Sequence, residues 1–383
     1  MNRVLPLLLT LGVLLSPSQV FAAAFEDHSS WDTEPRLETE KGISKGMAVL
    51  EMYTGMRFLW SENYFNSNGK VADAPHQYDM MYMDVGWHFG FTENWTFWTN
   101  IPIVWSEDST TDAAGELIYD RKSSGKIGDA NTGIIYQFFR RNDPTISMGM
   151  GLRWKLPTGS ESPGANSLNI TGTGTTDVEL SFLGRLQLFR YMALGWAAGY
   201  NIRFPETVQY IIDRHTSITN AGLDLGDEIY AQLDIIAAFD YMAFQLSGRF
   251  TYRRSSALAI AEYRAETIRW QNPATGEVEE SEMLLFNGAR YQDWDVVAPN
   301  GDKVSSAGYI FTLTPRLILR PLEWLDITAF AQFHLMGKNT RYLVNKDGNN
   351  ATIENFEPMQ VLGKEIVGGL ILGEFGVAIT GRY

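Results

Sequence analysis

Apolar and polar residues alternate one by one over two long runs near the middle of the chain, Thr145–Leu156 and Thr176–Phe189. Side chains of a β-strand point to opposite faces in turn, so a period of two predicts strands. Each run is about twice as long as an ordinary strand of five or six residues. One face is continuously apolar, and the other carries small, polar and charged residues. This pattern is typical of a β-barrel wall with lipid outside and water inside.

The same alternation predicts strands along the rest of the chain. They are Gly46–Trp60, Tyr78–Phe91, Trp95–Trp105, Gly128–Phe139, Tyr191–Phe204, Asp227–Phe239, Tyr241–Arg254, Gly308–Arg320 and Trp324–Met336. The C-terminal residues Val367, Ile371, Phe375, Val377, Ile379 and Tyr383 share one face, on one long strand or on two short ones. A single strand gives a total of about 12, and bacterial single-chain barrels have an even number of strands.

Long connections alternate with short turns between the predicted strands. The long ones lie at about residues 61–77, 106–126, 157–175, 205–226, 255–306 and 337–363. The short ones lie near Thr92–Asn94, Arg140–Pro144, Phe189–Tyr191, Asp240 and Pro321–Glu323. The predicted fold class is therefore all-β, a transmembrane antiparallel up-and-down β-barrel with long extracellular loops and short periplasmic turns.

The large extracellular loop 255–306 is the least regular part of this map. Within it, Tyr263–Trp270 and Val278–Phe286 flank an Asn-Pro-Ala-Thr-Gly turn, which predicts a β-hairpin. The hairpin either stands above the membrane or enters it. In the second case the barrel has about 14 strands rather than about 12.

The N-terminus is typical of a secretory signal peptide. Arg3 precedes the apolar run Val4–Leu15, and small residues follow for cleavage near Ala22 or Ala24. The expected division of the chain is a signal peptide at 1–24, an irregular periplasmic segment at 25–44 and an outer-membrane barrel at 45–383. The apolar run is too short to span a bilayer, and no longer run follows, so no transmembrane helix is predicted.

Composition narrows the expected location and partners. The formal net charge is −14, and the chain has no cysteine, which excludes disulfides and an acylated N-terminal cysteine. We expect no nucleic-acid partner, because no basic patch could engage phosphates. In the outer membrane, the expected partners are lipid, lipopolysaccharide and small apolar solutes. The final strand, ending at Tyr383, resembles the C-terminal signal by which the barrel-insertion machinery recognises such proteins.

Charged residues on the inward face are the candidates for function. Asp129, Lys155 and Asp177 lie next to the same two long loops, so we expect them to lie side by side at the outer rim. Arg153 and Glu179 should form a second layer. Two interpretations remain open and are compatible with each other. The charges either pair across strands and lock their register, or form a constriction that faces a solute.

Other inward residues add weaker signals. Six arginines could form a basic stripe opposite five carboxylates, namely Arg57, Arg185, Arg203, Arg249, Arg253 and Arg316 against Glu51, Asp84, Glu228, Asp234 and Asp326. The inward aromatic residues Tyr53, Tyr82, Tyr230 and Phe330 could line a route for an apolar solute or fill the middle of the barrel. A barrel of about 12 strands should leave a narrow lumen.

Sequence patterns of enzymes are largely missing. The five histidines are scattered without metal-ligand spacing, and there is no nucleophile-elbow motif. An outer-membrane lipase is a further alternative, but His88 and His334 fall on the inward parity rather than on the lipid-facing wall. The prediction is a protein that is not an enzyme and has no catalytic residue, cofactor or metal.

Three short motifs resemble the outer-membrane family named after the meta-pathway of phenol degradation. They are Gly128-Asp129-Ala130-Asn131, Lys155-Leu156-Pro157-Thr158-Gly159 and Gly172-Thr173-Gly174-Thr175-Thr176-Asp177-Val178, and Asn100-Ile101-Pro102 is similar to that family as well. The resemblance covers about residues 80–260. It implies a transporter-like barrel for small hydrophobic or aromatic compounds, with Asp129, Lys155 and Asp177 at the rim and lumen.

The leading functional hypothesis is a passive outer-membrane channel or facilitator for small hydrophobic or aromatic compounds. Its lumen candidates are Asp129, Arg153, Lys155, Asp177, Glu179, Arg249, Tyr82 and Tyr230. The alternative is a plugged structural barrel whose extracellular loops serve surface binding or envelope integrity.

Overall fold

The computed structural model describes most of the predicted barrel and parts of its long connections. The described residues are 44, 46–60, 63–65, 68–73, 77–111, 117–122, 125–142, 145–159, 176–189, 191–204, 206–211, 217–224, 226–239, 241–255, 257–271, 278–293, 295–297, 303–305, 307–338 and 374–382. The predicted signal peptide, the predicted periplasmic segment up to residue 43 and Tyr383 lie outside these residues.

All regular elements among the described residues are strands. In chain order they are β1 (Leu50–Trp60), β2 (Asn63–Phe65), β3 (Val71–Asp73), β4 (Gln77–Gly90), β5 (Trp95–Thr111), β6 (Leu117–Lys122), β7 (Lys126–Ile127), β8 (Ala130–Asn142), β9 (Thr145–Leu156), β10 (Asp177–Phe189), β11 (Met192–Arg203), β12 (Glu206–Ile211), β13 (Ser217–Asp224), β14 (Glu228–Ala238), β15 (Met242–Arg253), β16 (Ala257–Gln271), β17 (Val278–Asp293), β18 (Asp295–Val297), β19 (Lys303–Ser305), β20 (Gly308–Leu322), β21 (Leu325–Lys338) and β22 (Glu374–Arg382).

Twelve of these strands form a closed antiparallel ring. Around the ring they follow chain order as β1, β4, β5, β8, β9, β10, β11, β14, β15, β20, β21 and β22. The ring closes where β1 pairs with β22, over nine residue pairs from Glu51–Arg382 to Leu59–Glu374. The predicted up-and-down barrel and its strand number are confirmed.

The hairpin predicted within residues 255–306 is present, and it is longer than the two runs that predicted it. It pairs β16 with β17 from Ala257–Asp293 to Gln271–Val278. Together with β12 and β13 it forms a four-stranded sheet that is separate from the barrel sheet. The alternative of 14 barrel strands is wrong, because β15 pairs directly with β20 along its whole length and leaves no place between them.

The two faces of the barrel wall differ as the alternation predicts. On β14, Glu228, Tyr230, Gln232 and Asp234 are buried inside the ring, whereas Leu233 on the outer face is 55% exposed. A continuous apolar outer surface of this size is stable in contact with lipid chains but not with water. Among the described residues, none belongs to a helix long and apolar enough to cross a membrane.

Aromatic side chains cluster on the outer face near the short turns. Trp95 and Tyr136 stack with ring centroids 4.4 Å apart, and Tyr191 and Phe239 stack at 5.6 Å. Rings with an apolar body and a polar edge are enriched where the hydrocarbon core of a membrane meets water. Their position predicts that the short-turn end of the barrel lies at one membrane surface.

The chain enters the barrel at Ser44, which is buried. The backbone N–H of Ser44 donates to Gln137 Oε1 at 3.3 Å, and its hydroxyl lies 3.2 Å from the hydroxyl of Thr96. Gln137 and Thr96 are buried on the inner face. The last residue of the expected periplasmic segment therefore contacts the lumen wall.

Candidate functional site in the barrel lumen

Strand register brings charges of opposite sign side by side on the inner wall. Lys155 on β9 is opposite Asp177 on β10, and Asp177 is opposite Arg203 on β11. Two residues further along the wall, Arg153 is opposite Glu179. Opposed residues of antiparallel strands have Cβ atoms about 4.5–5.5 Å apart, which is close enough for their charged ends to meet.

The first layer is a chain of ion pairs next to the long-loop ends of the strands. Lys155 Nζ lies 2.7 Å from Asp177 Oδ2, and Arg203 Nε lies 3.9 Å from the same oxygen. Arg203 Nη2 then contacts Glu228 Oε1 at 2.9 Å. All four side chains are almost completely buried. Burial without a partner would cost several kcal/mol per ion, so alternating signs stabilise this layer.

The second layer joins an ion pair to an aromatic ring. Arg153 Nη2 lies 3.1 Å from Glu179 Oε2, and Arg153 Nη1 donates to Asn131 Oδ1 at 3.2 Å. The Tyr230 hydroxyl donates to the other oxygen of Glu179 at 2.8 Å. The Arg249 guanidinium carbon is 3.7 Å from the centroid of the Tyr230 ring, which is close cation–π contact. Tyr230 thus links Glu179 on β10 to Arg249 on β15.

An apolar cluster lies on the inner wall next to these layers. Its members are Trp98, Ile135, Leu183, Ala197 and Tyr230, which come from five strands and are at most 3% exposed. Leu183 follows Glu179 on the same face of β10, four residues on, or roughly 13 Å at the usual rise per residue. The inner wall therefore passes from charged to apolar within the height of a single strand.

Two of these aromatic rings lie against glycines of the neighbouring strand. Trp98 is opposite Gly133, and a Cβ atom there would come within 2.5 Å of Trp98 Nε1 and 2.6 Å of the Leu152 carbonyl oxygen. Tyr230 is opposite Gly199, where a Cβ atom would be 2.4 Å from the ring. Only glycine allows such close approach, so both rings lie along the wall rather than across the lumen.

A second ionic cluster occupies the part of the ring where the barrel closes. Arg57 Nη2 donates to Asp84 Oδ1 at 2.7 Å, and Arg57 Nη1 contacts Glu374 Oε1 at 3.4 Å. Asn100 also donates to Asp84 Oδ1, at 3.1 Å. Since β1, β4 and β22 are neighbours in the ring, this network ties the first and last barrel strands together.

The predicted site residues lie in the two layers, in the second ionic cluster and, for Asp129, just before β8. The lumen side chains of Arg153, Lys155, Asp177, Glu179, Arg249 and Tyr230 lie in the two layers described above. Tyr82 is buried in the second ionic cluster, where its ring centroid is 5.9 Å from the Arg57 guanidinium carbon. Their roles toward a solute remain predictions.

Asp129 lies one residue before the start of β8, and Asn131 is the residue directly opposite Lys155. The predicted place of Asp129 beside Lys155 at the rim stays a prediction. Asp129 Oδ1 accepts a hydrogen bond from the backbone N–H of Gly159 at 3.0 Å. This contact joins the end of one long connection to the start of the next.

The predicted separation of a basic stripe from an acidic one is wrong. Arg203 pairs with Glu228 and Arg57 with Asp84, so the charges interleave around the wall. Sequence parity identifies the face of a residue but not its neighbours around the ring, and these depend on register. Among the described residues, no group of three His, Asp or Glu side chains is placed to hold a metal ion.

Trp98, Ile135 and Leu183 are lumen residues that the sequence reasoning did not name as candidates. The sequence does indicate that Trp98 faces inward, because its parity is opposite to that of the lipid-facing Trp95 and Phe97. This indication was missed because both faces of β5 are apolar at this point. Leu183 likewise interrupts a polar inner face at a single position.

No family model matches the chain. The crystal structure of an outer membrane channel from Pseudomonas putida F1 has a TM-score of 0.55 and 9% identity, covering 94% of this chain and 100% of that chain. The beta domain of the Bordetella autotransporter Brka has a TM-score of 0.40 and 7% identity, covering 88% of this chain and 100% of its own. The Pseudomonas putida toluene transporter TodX has a TM-score of 0.36 and 10% identity, with 96% and 98% covered.

The channel from Pseudomonas putida F1 is therefore a solved structure whose fold this chain shares. At 9% identity the likeness is one of fold, and the resemblance to a family of outer-membrane barrels is confirmed to that extent. The closed ring, the apolar outer face and this shared fold confirm the predicted localisation in the outer membrane. The chain is an outer-membrane β-barrel.

Proposed function

We propose that this chain is a passive outer-membrane channel for small hydrophobic or aromatic compounds. The observation that carries the proposal is the apolar cluster of Trp98, Ile135, Leu183, Ala197 and Tyr230 on the inner wall. A lumen that serves only water and ions gains nothing from an indole and two branched aliphatic chains on that face. Because the cluster is at most 3% exposed, a solute reaches it by displacing the side chains that cover it, and an apolar solute gains free energy there by leaving water.

The paired charges of the two layers support the same function. Lys155, Asp177 and Arg203 are at most 2% exposed, and each has an opposite charge in contact. Paired, shielded charges present a weaker field to a passing molecule than free ones do. Unpaired charges would bind water that a solute has to displace. A neutral solute passes a layer of paired charges without that cost.

The name of one compared protein agrees with a channel. A solved structure with the same fold is an outer membrane channel. The enzyme alternative, a lipase, would need a Ser/His pair on the lipid-facing wall, whereas His88 and His334 are buried. We therefore propose a protein that moves its solute unchanged.

Solute uptake by cells tests the proposal. A porin-deficient Gram-negative strain with intact lipopolysaccharide is given a panel of labelled aromatic and aliphatic compounds, with and without this chain. The proposal expects faster initial uptake of small apolar compounds and no change for sugars of similar size. Equal rates for every compound, at a verified outer-membrane level of the barrel, would reject it.

A second candidate function rests on the four-stranded sheet of β12, β13, β16 and β17. Its strands leave the barrel wall on the long-loop side and pair with each other, which suits a surface for binding at the cell exterior. A plugged structural barrel would use that sheet rather than the lumen. Deleting residues 257–293 would then abolish the phenotype of the protein and leave solute uptake unchanged.

A further inference from the structure

Two of the lumen arginines, Arg249 and Arg316, are without a carboxylate partner among the described residues. Arg57, Arg153 and Arg203 each contact an Asp or Glu at 3.1 Å or less. Among the described residues, no carboxylate lies within ion-pair distance of Arg249 or Arg316. Both side chains are only 5% exposed. A cation that is shielded from water and lacks a counter-ion is costly, and an anion that enters the lumen would remove that cost.

Arg249 also has hydrogen-bonding capacity to spare. Its Nε donates to Thr251 at 3.3 Å, and its Nη1 lies 3.5 Å from Gln232 Oε1, at the limit of a hydrogen bond. A guanidinium has five N–H donors in a planar fork that matches an oxyanion. Gln232 in turn donates to Asp234 at 3.0 Å, so the acidic group reaches Arg249 only through an amide.

Arg316 lies on the same flank of the lumen. It is opposite Gln245 on β15, four residues along the wall from Arg249, which is opposite Thr312. At the usual strand rise the backbone positions of the two residues are roughly 13 Å apart along the strand direction. No hydrogen bond joins Arg316 to another residue in the part of the chain that the structure describes. An anion leaving one arginine therefore meets another on its way along β15 and β20.

Each of these arginines is accompanied by an aromatic ring. The Arg249 guanidinium carbon is 3.7 Å from the Tyr230 ring centroid, and that of Arg316 is 5.9 Å from the Phe330 ring centroid. Phe330 is opposite Arg316 across β20 and β21. The repeated combination offers an oxyanion partner and an aromatic face to the same molecule.

We propose that the flank formed by Arg249, Tyr230, Arg316 and Phe330 is a binding track for small aromatic anions. This inference rests on the proposed function, since it needs a solute to enter the lumen. It makes that function more specific, because the favoured aromatic solute carries a carboxylate or sulfonate group. The ion-paired layer at the rim then stabilises the wall. Arg249 and Arg316, which have no carboxylate partner among the described residues, bind the solute.

Efflux from proteoliposomes tests the track with two permanently charged probes of similar size. Benzenesulfonate is the aromatic anion and trimethylanilinium the aromatic cation, and neither crosses lipid readily. The full mature barrel is expected to release benzenesulfonate about tenfold faster than trimethylanilinium. The double variant Arg249→Gln with Arg316→Gln should lose about tenfold in benzenesulfonate efflux, since one lost charged hydrogen bond is worth about 1.4 kcal/mol or more.

Two further variants serve as controls for the substitution itself and for the charge of Arg249. Arg254→Gln makes the same substitution at a side chain that is 65% exposed and lies outside the lumen face, so efflux should be unchanged. Arg249→Lys keeps the charge and removes the planar fork, and it should retain the preference for anions with weaker binding of benzenesulfonate. Cation efflux that equals or exceeds anion efflux, or an unaffected double variant, would overturn the track.

Failure of the track is distinguishable from failure of the proposed function. If cells carrying the chain take up neutral aromatic compounds while proteoliposomes release neither charged probe, the channel stands and the anion track is rejected. If uptake of neutral compounds is also unaffected by the chain, the proposed function itself is rejected.

Discussion

Lys155 Nζ lies 2.7 Å from Asp177 Oδ2 on the adjacent strand, and at most 1% of either side chain is exposed. Arg203 approaches the same carboxylate from the other side, at 3.9 Å. One buried anion therefore holds two cations from two different strands. This arrangement fixes the register of β9, β10 and β11, because a shift of one residue would turn every charge toward lipid.

Removing the ammonium should destabilise the barrel. Lys155→Met keeps much of the aliphatic stem and leaves Asp177 with only the distant Arg203. The expected loss is about 3 kcal/mol in the free energy of unfolding, because one partner of a buried pair remains uncompensated. Urea unfolding in lipid vesicles, followed by tryptophan fluorescence, measures it.

The matching double variant separates pairing from packing. Lys155→Met combined with Asp177→Asn removes both charges and should recover part of the lost stability. If the two single effects simply add, Lys155 and Asp177 are not coupled and the pair does not hold the register.

Gly133 should tolerate no side chain. In Gly133→Ala the new Cβ atom would lie 2.6 Å from the Leu152 carbonyl oxygen and 2.5 Å from Trp98 Nε1, so backbone or indole has to move. We expect a loss of about 1–3 kcal/mol in unfolding free energy, typical of overpacking. A shift of tryptophan emission should accompany it.

Gly248 provides the control for that substitution. A Cβ atom there would meet the Phe311 ring at 3.5 Å, which is ordinary contact, so Gly248→Ala should change stability by less than about 0.5 kcal/mol. Equal losses at Gly133 and Gly248 would mean that the close approach of Trp98 does not constrain the wall.

The outer face can be tested with a charge. Leu233→Arg places a guanidinium on the lipid side of β14, where the leucine is 55% exposed, and should cost about 2–4 kcal/mol if it lies near the bilayer centre. Tyr241→Arg, at the short turn that follows, should cost only about 0–1 kcal/mol. A neutral effect at Leu233, measured by unfolding from vesicles, would contradict lipid contact there.

Much of this fold was predictable because alternation is a local property. Each residue of a barrel strand faces either lipid or lumen, so parity alone placed Lys155, Glu179 and Arg249 inside. Loop lengths fixed which ends of the strands share a rim. Whether β16 and β17 belong to the barrel was left open, because a hairpin above the membrane and one within the wall have similar sequence patterns.

Register was the part that parity could not supply. The alternation predicted that Asp129 and Lys155 share the inner face, but not that Asn131 is the residue directly opposite Lys155. The supposed basic stripe failed for the same reason. Only pairing across strands reveals that Arg203 has a carboxylate in contact while Arg249 has a tyrosine ring.

Trp98 illustrates a second limit. Its inward parity was readable, yet its importance depends on Leu183 and Ala197, which are distant in the chain and meet it only in the closed ring. Convergence of side chains from five strands is a property of the tertiary fold. Isolated apolar residues on a polar inner face are the signal that would have found this cluster.

The most direct test of the central claim is the initial rate of toluene uptake by porin-deficient cells with intact lipopolysaccharide. Cells producing the wild-type chain should take up toluene faster than cells without it. Leu183→Gln, which places an amide in the apolar cluster, should abolish most of that gain, and Leu183→Met should preserve it. Uptake that is the same in all four strains, with equal amounts of folded barrel, would contradict a lumen that carries apolar solutes.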